Sequence, residues 1–289
     1  MVSPSSQAGL GGRTRRGDRE ARLFDLAGRL TERDRTICRL LYEHRVLTTS
    51  EIADVGFASL RKAQERMALL HRLEVADRFR PRSWAGTGPY HHILGPDGAA
   101  VIAAERGVEV RDLAWRRDAA TALAASQRLG HLVATNGFFT ALIRTSRRHP
   151  GSELAEWWSE RRCAAAWGQV VRPDGYGVWV EDDRRLPFLL EYDCGTERLA
   201  RLQGKLPGYA RLARAAKHPT WVLFCFTSPA REAAARKVLR HPVVPVATAV
   251  LPKGTSPDRP LWLAFSDTSR RRLVDLGHPS RALGTGTET

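Results

Sequence analysis

The hydrophobic pattern of the chain changes its period near residue 150. Before this point, apolar residues recur mostly every three or four positions, as they do on the buried stripe of an amphipathic helix. After it, short segments with mostly β-type spacing become frequent, and this spacing predicts strands. The two parts of the chain therefore favour different architectures, and together they predict an α+β protein.

The first part of the chain predicts three helices followed by a β-ribbon. Thr31 and Thr48 each begin a capping pattern, with an acidic residue three positions later. A third helix is predicted over residues 59–73. Two strand-like segments, 75–80 and 90–94, flank a loop that contains Pro and Gly. This order predicts a winged helix-turn-helix domain over residues 23–108, which would place its third helix in the major groove of DNA.

Basic side chains on this domain indicate a DNA-binding surface. On the third helix, the side chains expected to face bases and phosphates are Arg61, Lys62, Gln64 and Arg66. On the wing, the expected contacts are Arg78, Arg80 and Arg82. The adjacent His91 and His92 are interpreted as wing residues in contact with solvent or phosphate. The alternative is a winged helix that binds protein and whose charges are only solvated.

The charge balance favours a polyanionic partner. Lys and Arg number 46 against 31 Asp and Glu, which gives a formal net charge of +15. No apolar run approaches the ~20 residues that a bilayer span needs, and the N-terminal segment lacks the apolar core of a secretory signal. Double-stranded DNA is therefore the expected partner rather than a membrane, and the cytoplasm is the expected location.

Both ends of the chain have the composition of disordered tails. Residues 1–22 are rich in Gly, Ser and Arg, and residues 278–289 are rich in Gly and Thr. None of the four cysteines belongs to a CxxC pair, which argues against a zinc knuckle or a thioredoxin-type motif. Cys38 and Cys225 are expected in the hydrophobic core.

Residues 109–277 are predicted to form a second domain of the α/β type. Helices are predicted over residues 119–148, 196–216 and 230–239, with a kink at Gly130 and a break at Pro207-Gly208. Strands are predicted at residues 154–158, 162–167, 170–174, 177–181, 186–193 and 261–265. The apolar run 220–226 has the composition of a strand that is buried on both faces.

Three carboxylates come together at the ends of predicted strands. In a strand over residues 186–193, Glu191 and Asp193 lie on the face opposite the alternating apolar side chains. Asp174 would come from a neighbouring strand. Oxygen ligands of this kind suit a hard divalent cation, so Asp174, Glu191 and Asp193 are candidate ligands of Mg²⁺ or Mn²⁺. Lys205, on the following helix, would lean back to orient water or stabilise charge on a phosphate.

These residues also have purely structural interpretations. Pro173-Asp174-Gly175 is a good turn signal, and Glu191 and Asp193 would then lie on a solvated strand face or pair with Arg198 and Arg201. His131 is expected to be a satisfied histidine of the core or of an interface. The chain contains no GxxxxGK[ST], GxSxG or HExxH motif.

Several segments in both halves carry a family resemblance. They are LTERDRTICRLLYEHRVLTTSEIADVGF and RKAQERMALLHRLEVADRF in the first half, and RPDG, FLLEYDCGTE and KLPGY in the second. These segments resemble the replication-relaxation family of plasmids and other mobile elements. The resemblance implies an N-terminal winged helix, DNA as partner and a role in the control of plasmid replication or transfer, alongside other replication or transfer proteins. It implies no established reaction.

The second half also resembles the PD-(D/E)xK fold of restriction endonucleases. Asp174 matches the first acid of that pattern and Glu191 the second, whereas Asp193 stands where the pattern has Lys. Lys205 would then substitute for the missing Lys from the helix. Three functions stay open: a DNA-binding protein of replication or transfer with a nuclease-like domain, an active Mg²⁺-dependent DNA endonuclease, and a non-catalytic transcriptional or copy-number regulator.

Overall fold

The computed structural model describes residues 21–277, with gaps at residues 23, 27, 82–87, 117, 196–197, 217–219, 241 and 253. The predicted tails, apart from residues 21 and 22, and Arg82 of the predicted wing lie outside the described residues. The described chain falls into two compact units. The first contains residues up to Thr49 and Ala58–Ala125, and the second contains Ser50–Phe57 and the residues from Ser126 onward.

Helices and short strands alternate in the first part of the chain. The elements are α1 (Glu32–His44), β1 (Leu47–Thr48), α2 (Thr49–Gly56), α3 (Leu60–Arg72), β2 (Ala76–Phe79), β3 (His91–Leu94), α4 (Pro96–Arg106), a 3₁₀ turn (Val110–Asp112) and α5 (Ala119–Ala124). Strand β3 lies at the centre of an antiparallel sheet with the order β1-β3-β2. The three predicted helices and the predicted strand pair are therefore present.

Local sequence determines where the helices of this unit begin. The Thr31 side chain accepts a hydrogen bond from the amide of Asp34, and the Asp34 carboxylate accepts one from the amide of Thr31 at 2.8 Å. Ser59 caps α3 by accepting from the amide of Lys62 at 3.3 Å. Asp34 is fully buried and also accepts from Arg66 Nε at 2.9 Å, so it joins α1 to α3.

The two adjacent histidines of β3 are buried, which corrects the expectation that they contact solvent or phosphate. His91 stacks on Phe79, and Nε2 of His92 lies 3.0 Å from Oγ1 of Thr49. Burial lowers the pKa of both imidazoles, and it brings the pKa of His92 to about 3 with help from the positive charge of Arg78. His92 is therefore neutral in the folded protein at neutral pH.

The second unit is built on a mixed sheet. Its elements, besides most of α2, are α6 (Leu129–Ser146), β4 (Ser152–Ser159), α7 (Glu160–Trp167), β5 (Gly175–Glu181), β6 (Arg184–Asp193), α8 (Leu199–Ala216), β7 (Trp221–Phe226), α9 (Pro229–Val238), β8 (Val246–Val250), β9 (Leu263–Ala264) and a 3₁₀ turn (Val274–Gly277). The described strands form one sheet in the order β4-β5-β6-β7-β8-β9. Strands β6, β7 and β8 run parallel, and the other neighbouring pairs are antiparallel. The described chain thus contains both helices and strands, which confirms the predicted mixed α and β content.

Two apolar clusters contain the side chains of alternate strand positions. One joins α6 to β6 and β7, through residues that include Phe138, Phe139, Phe188, Leu190 and Leu223. The other joins α8 to the same strands, through residues that include Leu189, Leu202, Leu206, Val222 and Phe224. Because β7 supplies side chains to both clusters, it is buried on both faces, as its apolar run predicted. Cys225 lies in the first of these clusters, and Cys38 is also buried, as expected.

Some predicted elements of the second unit were wrong. Residues 162–167 lie in α7 rather than in a strand, because Ser159 accepts a hydrogen bond from the amide of Arg162 and caps a helix. Residues 170–174 form no strand and lead irregularly into β5. The break in the long helical segment falls at residues 125–128 rather than at Gly130. Strand β8 had no counterpart in the prediction.

Helix α8 continues through Pro207, where a break was predicted. Leu206 and Tyr209 on either side of the proline are buried, so tertiary packing outweighs the local cost of the missing amide. Gly208 permits a close approach here, because a Cβ at this position would lie 2.8 Å from the carbonyl oxygen of Val170. None of the described helices is both long and apolar enough to cross a bilayer.

The neutral His92 predicts a loss of stability in acid. Between pH 6.5 and pH 3 the unfolded chain binds a proton at this side chain and the folded chain does not. The free energy of unfolding should therefore fall with decreasing pH, by roughly 2 kcal/mol from this group at pH 5. In urea titrations followed by circular dichroism, His92→Gln should show a weaker dependence on pH between 7 and 5 than the wild type.

The exposed His149 offers a matched control for that comparison. His149→Gln also removes one imidazole, but from an exposed position, and so controls for the loss of a histidine as such. The assignment to His92 would be wrong if both variants followed the wild-type curve.

Candidate functional site

A cavity of about 790 Å³ lies in the second unit, at the ends of β5 and β6 that carry the predicted acids. Its walls come from α6, from the irregular segment before β5, from the end of β6 and from α8. The charged side chains among the lining residues are Arg128, His131, Glu160, Arg172, Asp174, Glu191, Asp193, Arg201, Lys205 and Arg211. Acidic and basic groups thus meet in one concave surface.

Strand register brings the two acids of the predicted pattern together. Gly175 of β5 pairs with Leu190 of β6, and the amide of Asp174 donates to the carbonyl oxygen of Leu190 at 3.0 Å. Asp174 therefore lies beside the strand position that precedes Glu191. Alternation along β6 places Leu190 in the cluster with α6, so Glu191 lies on the side of α8.

Asp174 is bound by a backbone amide and by an imidazole. Its Oδ2 accepts from the amide of Tyr192 at 2.8 Å, and its Oδ1 lies 3.0 Å from Nε2 of His131. Nδ1 of the same imidazole lies 3.9 Å from Sγ of Cys194. The hydrogen bond to Asp174, with a smaller contribution from Cys194, raises the pKa of His131 to about 10. At neutral pH His131 is therefore an imidazolium.

His131 was expected to be a satisfied histidine of the core or of an interface; it has partners in Asp174 and Cys194, but it does not lie in the core. Its side chain retains 28% exposure and lines the cavity beside Asp174. No local motif marks this residue, because the contact depends on how α6 packs against the end of β5. Sequence reasoning could have found it only by knowing that α6 and the acids border the same cavity.

Glu191 is almost fully buried and is held by two side chains of α8. Nζ of Lys205 lies 2.5 Å from Oε2, and the hydroxyl of Tyr209 donates to Oε1. Burial raises the pKa of Glu191 and the negative charge of Asp174 adds to this, whereas Lys205 and Tyr209 act in the opposite direction. Burial also raises the pKa of Tyr209 well above its usual value, so its hydroxyl stays protonated and donates.

Asp193 is directed to a different partner. Its Oδ2 accepts from Nε and Nη2 of Arg231 at 3.0 and 2.9 Å, and its Oδ1 accepts from the amide of Gly195 at 2.6 Å. Arg231 lies in α9, far along the chain from the Arg198 and Arg201 that the sequence suggested as partners. Each of the three predicted acids therefore has its own cationic neighbour.

The metal prediction stays a prediction. Within the part of the chain that the structure describes, no group of three or more His, Cys, Asp or Glu side chains is arranged to hold a metal ion. Asp174 and Glu191 do supply carboxylate oxygens, the donors that Mg²⁺ or Mn²⁺ takes. Both oxygens of Asp193 already have donors, since Oδ2 accepts from Arg231 and Oδ1 from the amide of Gly195.

On α3, the predicted recognition helix, three of the four predicted contact side chains are exposed and the fourth is bound to other residues. Arg61 and Lys62 are largely exposed, and each bridges to Glu65, at 2.9 and 3.3 Å. Gln64 is also exposed. Arg66, by contrast, bonds Asp34 and the carbonyl oxygen of Arg29. Its guanidinium is thus already part of the packing between α1 and α3.

The described wing arginines share one aromatic ring. The guanidinium carbons of Arg78 and Arg80 lie 4.3 and 4.0 Å from the ring centre of Tyr90, within the range of cation–π attraction. Arg82 lies outside the described residues. Tyr90 therefore holds two positive charges together beside β2.

Burial of Glu191 predicts a strong coupling with Lys205. Lys205→Met should lower the free energy of unfolding by about 3 kcal/mol, because it leaves a buried carboxylate without its cation. Lys205→Met combined with Glu191→Gln should recover part of the loss, since the amide carries no charge. Urea unfolding measures both, with Arg201→Met as the control on the same helix. Equal stability of the two Lys205 variants would contradict the coupling.

Comparison with known proteins identifies the family. A family model described as replication-relaxation matches residues 38–221, which is more than half of the chain. The matched range begins in α1 and ends at the start of β7, so it includes the three predicted acids, Lys205 and Tyr209. No curated protein and no solved structure matches the chain. The chain belongs to the replication-relaxation family.

Proposed function

We propose that this chain is a DNA-binding protein that acts in the replication or transfer of a plasmid or other mobile element. Its second unit, which we interpret as nuclease-like, would hold the phosphodiester backbone. The observation that carries the proposal is the cavity in which Asp174, Glu191 and Lys205 meet. The family match supports the connection with replication and relaxation.

The order of elements in the first part of the chain supports a winged helix. A helix, a short strand, two helices and two further strands follow one another, and the strands form the sheet β1-β3-β2. In such a module the second helix of the helix-turn-helix enters the major groove. That helix is α3, and its exposed Arg61, Lys62 and Gln64 are the side chains that would reach base edges and phosphates.

The second unit supports a nuclease-like architecture. Strands β4, β5 and β6 form an antiparallel meander, and α8 then crosses over to β7, which is parallel to β6. The first acid immediately precedes β5, the second lies in β6, and the lysine comes from α8. This is the placement that the resemblance to the PD-(D/E)xK pattern implies, with the lysine moved from the strand to the helix.

Basic side chains around the cavity give it a suitable charge for a phosphate backbone. Arg172, Arg201 and Arg211 line it together with Arg128, which bridges to Glu160 at 2.7 Å. Guanidinium groups donate to phosphate oxygens in a planar, bidentate geometry. The formal net charge of +15 adds long-range attraction to any polyanion.

Substitutions on α3 test the DNA-binding proposal. Arg61→Ala with Lys62→Ala should weaken binding of a short duplex about tenfold or more and should lower the slope of log affinity against log salt by roughly 1–2. Fluorescence anisotropy over a range of salt concentrations measures both quantities. Arg111→Ala with Arg116→Ala removes the same charge from another exposed segment of the first unit. Identical salt slopes for the two double variants would exclude α3 as the contact surface.

The second candidate function is a metal-dependent DNA endonuclease, and the contact of Lys205 with Glu191 favours it. Asp174 and Glu191 would hold Mg²⁺ or Mn²⁺, and a bound cation would lower the pKa of a coordinated water and polarise the phosphate. Lys205 would keep Glu191 ionised and hold a proton near the attacked phosphate. Tyr209, with its hydroxyl protonated, would keep the second oxygen of Glu191 in place.

Nicking of supercoiled plasmid distinguishes an endonuclease from a non-catalytic regulator. If the second candidate is correct, the wild type nicks DNA in Mg²⁺ or Mn²⁺, whereas Asp174→Asn and Glu191→Gln each lose at least about a hundredfold in rate. Glu160→Gln, which alters another cavity carboxylate, should retain most activity. Absence of nicking by the wild type on supercoiled, linear and single-stranded DNA would reject cleavage. Specific footprints without metal would then favour a transcriptional or copy-number regulator.

A further inference from the structure

A second cavity, of about 500 Å³, lies in the second unit and shares no lining residue with the first. Its walls are the last turn of α6, Asp54 of α2 and the loop that follows β8. The lining residues are Asp54, Arg144, Thr145, Arg148, His149, Gly254, Thr255, Ser256 and Arg259. Among the described lining residues, three guanidinium groups and an imidazole therefore border the cavity together with the carboxylate of Asp54.

Polar contacts hold the walls of this cavity together. Arg144 donates to Oδ2 of Asp54 at 2.9 Å and to the carbonyl oxygen of Gly254 at 3.2 Å. The buried hydroxyl of Thr145 lies 2.7 Å from that of Ser256 and donates to Asp258 at 3.1 Å. The loop is thereby tied to α6, so the shape of the cavity exists before any ligand arrives.

The remaining basic side chains face solvent at the rim. Arg148 and His149 are exposed, and so is Arg259, whose guanidinium lies 4.0 Å from the nearest recorded carboxylate, that of Asp258. Asp54 is bonded to Arg144 and also interacts electrostatically with Arg148, and Asp258 lies near Arg259, so two carboxylates face three guanidinium groups. The rim therefore carries an excess of positive charge.

The dipole of α6 accounts for only part of this charge. Cations at the C-terminal end of a helix are stabilised by its partial negative charge, which would explain Arg144 in the last turn of α6 and Arg148 just beyond it. Arg259 comes from a different segment and has no such reason to lie there. Guanidinium groups that come from two elements match the acceptor oxygens of a phosphate. The volume is within the range of small-ligand sites.

We propose that this second cavity binds a phosphate group, separately from α3 and from the cavity of Asp174 and Glu191. The source of the phosphate would be the backbone of DNA or a free phosphate. Both present negatively charged, non-bridging oxygens on a tetrahedral phosphorus to Arg148 and Arg259.

Histidine NMR on the full chain tests this site directly. With ¹³C-labelled histidine, the ring signal of His149 can be assigned among the nine histidines by comparison with His149→Gln. Inorganic phosphate, added at constant ionic strength, should move this signal saturably. Arg148→Gln with Arg259→Gln should raise the phosphate concentration at the midpoint roughly tenfold or more. Arg214→Gln with Arg240→Gln, an equal loss of exposed charge, should leave the midpoint unchanged.

A second titration identifies the source of the phosphate. A short DNA duplex that moves the His149 signal at far lower concentrations than inorganic phosphate supports the DNA backbone, and a response to inorganic phosphate alone supports a free anion. The other histidine signals show whether each variant is folded. The proposal is overturned if phosphate does not move the His149 signal saturably, or if the two double variants share one midpoint. Neither outcome depends on α3 or on cleavage.

Discussion

The burial of Glu191 is the constraint on which the cavity depends. A carboxylate removed from water is destabilising unless cations and hydrogen-bond donors surround it. Lys205 and Tyr209 meet this need from positions one turn apart on α8. They can do so because α8 remains helical through Pro207 and because Gly208 lets the helix approach Val170 closely. The position of α8 therefore also determines which charged and polar groups surround Glu191.

The three acids are neutralised from three helices. His131 of α6 pairs with Asp174, Lys205 of α8 with Glu191, and Arg231 of α9 with Asp193. Each pair fastens a helix to the ends of β5 and β6, so the charges of the cavity also brace the layers around the sheet. Any cation or phosphate that enters must compete with partners already in place.

Features encoded locally were predictable and features that depend on distant contacts were not. Strand β6, the buried strand β7 and the positions of Glu191 and Lys205 follow from alternation and helical spacing within a short stretch. His131 and Arg231 lie far from the acids in sequence, so no local pattern indicates them. The burial of His91 and His92 was not predicted, because β3 is the central strand of its sheet. Its neighbour β1 is only two residues long, too short to be recognised as a strand from the sequence. For α7, the Ser159 cap outweighed an apparent β-type spacing.

Strand order in the large sheet is the same as chain order. Each strand is therefore laid beside the one that precedes it. Strands β5 and β6 pair across the short link at residues 182–183 with a small cost in chain entropy, whereas α7 lies between β4 and β5. Strand β7 pairs with β6 only across the longer crossover connection that contains α8. The acids thus belong to the part of the sheet that can assemble first. Lys205 and Arg231 come from α8 and α9, which follow these strands in the chain. Glu191 and Asp193 therefore gain their cationic partners only when these helices pack on the sheet.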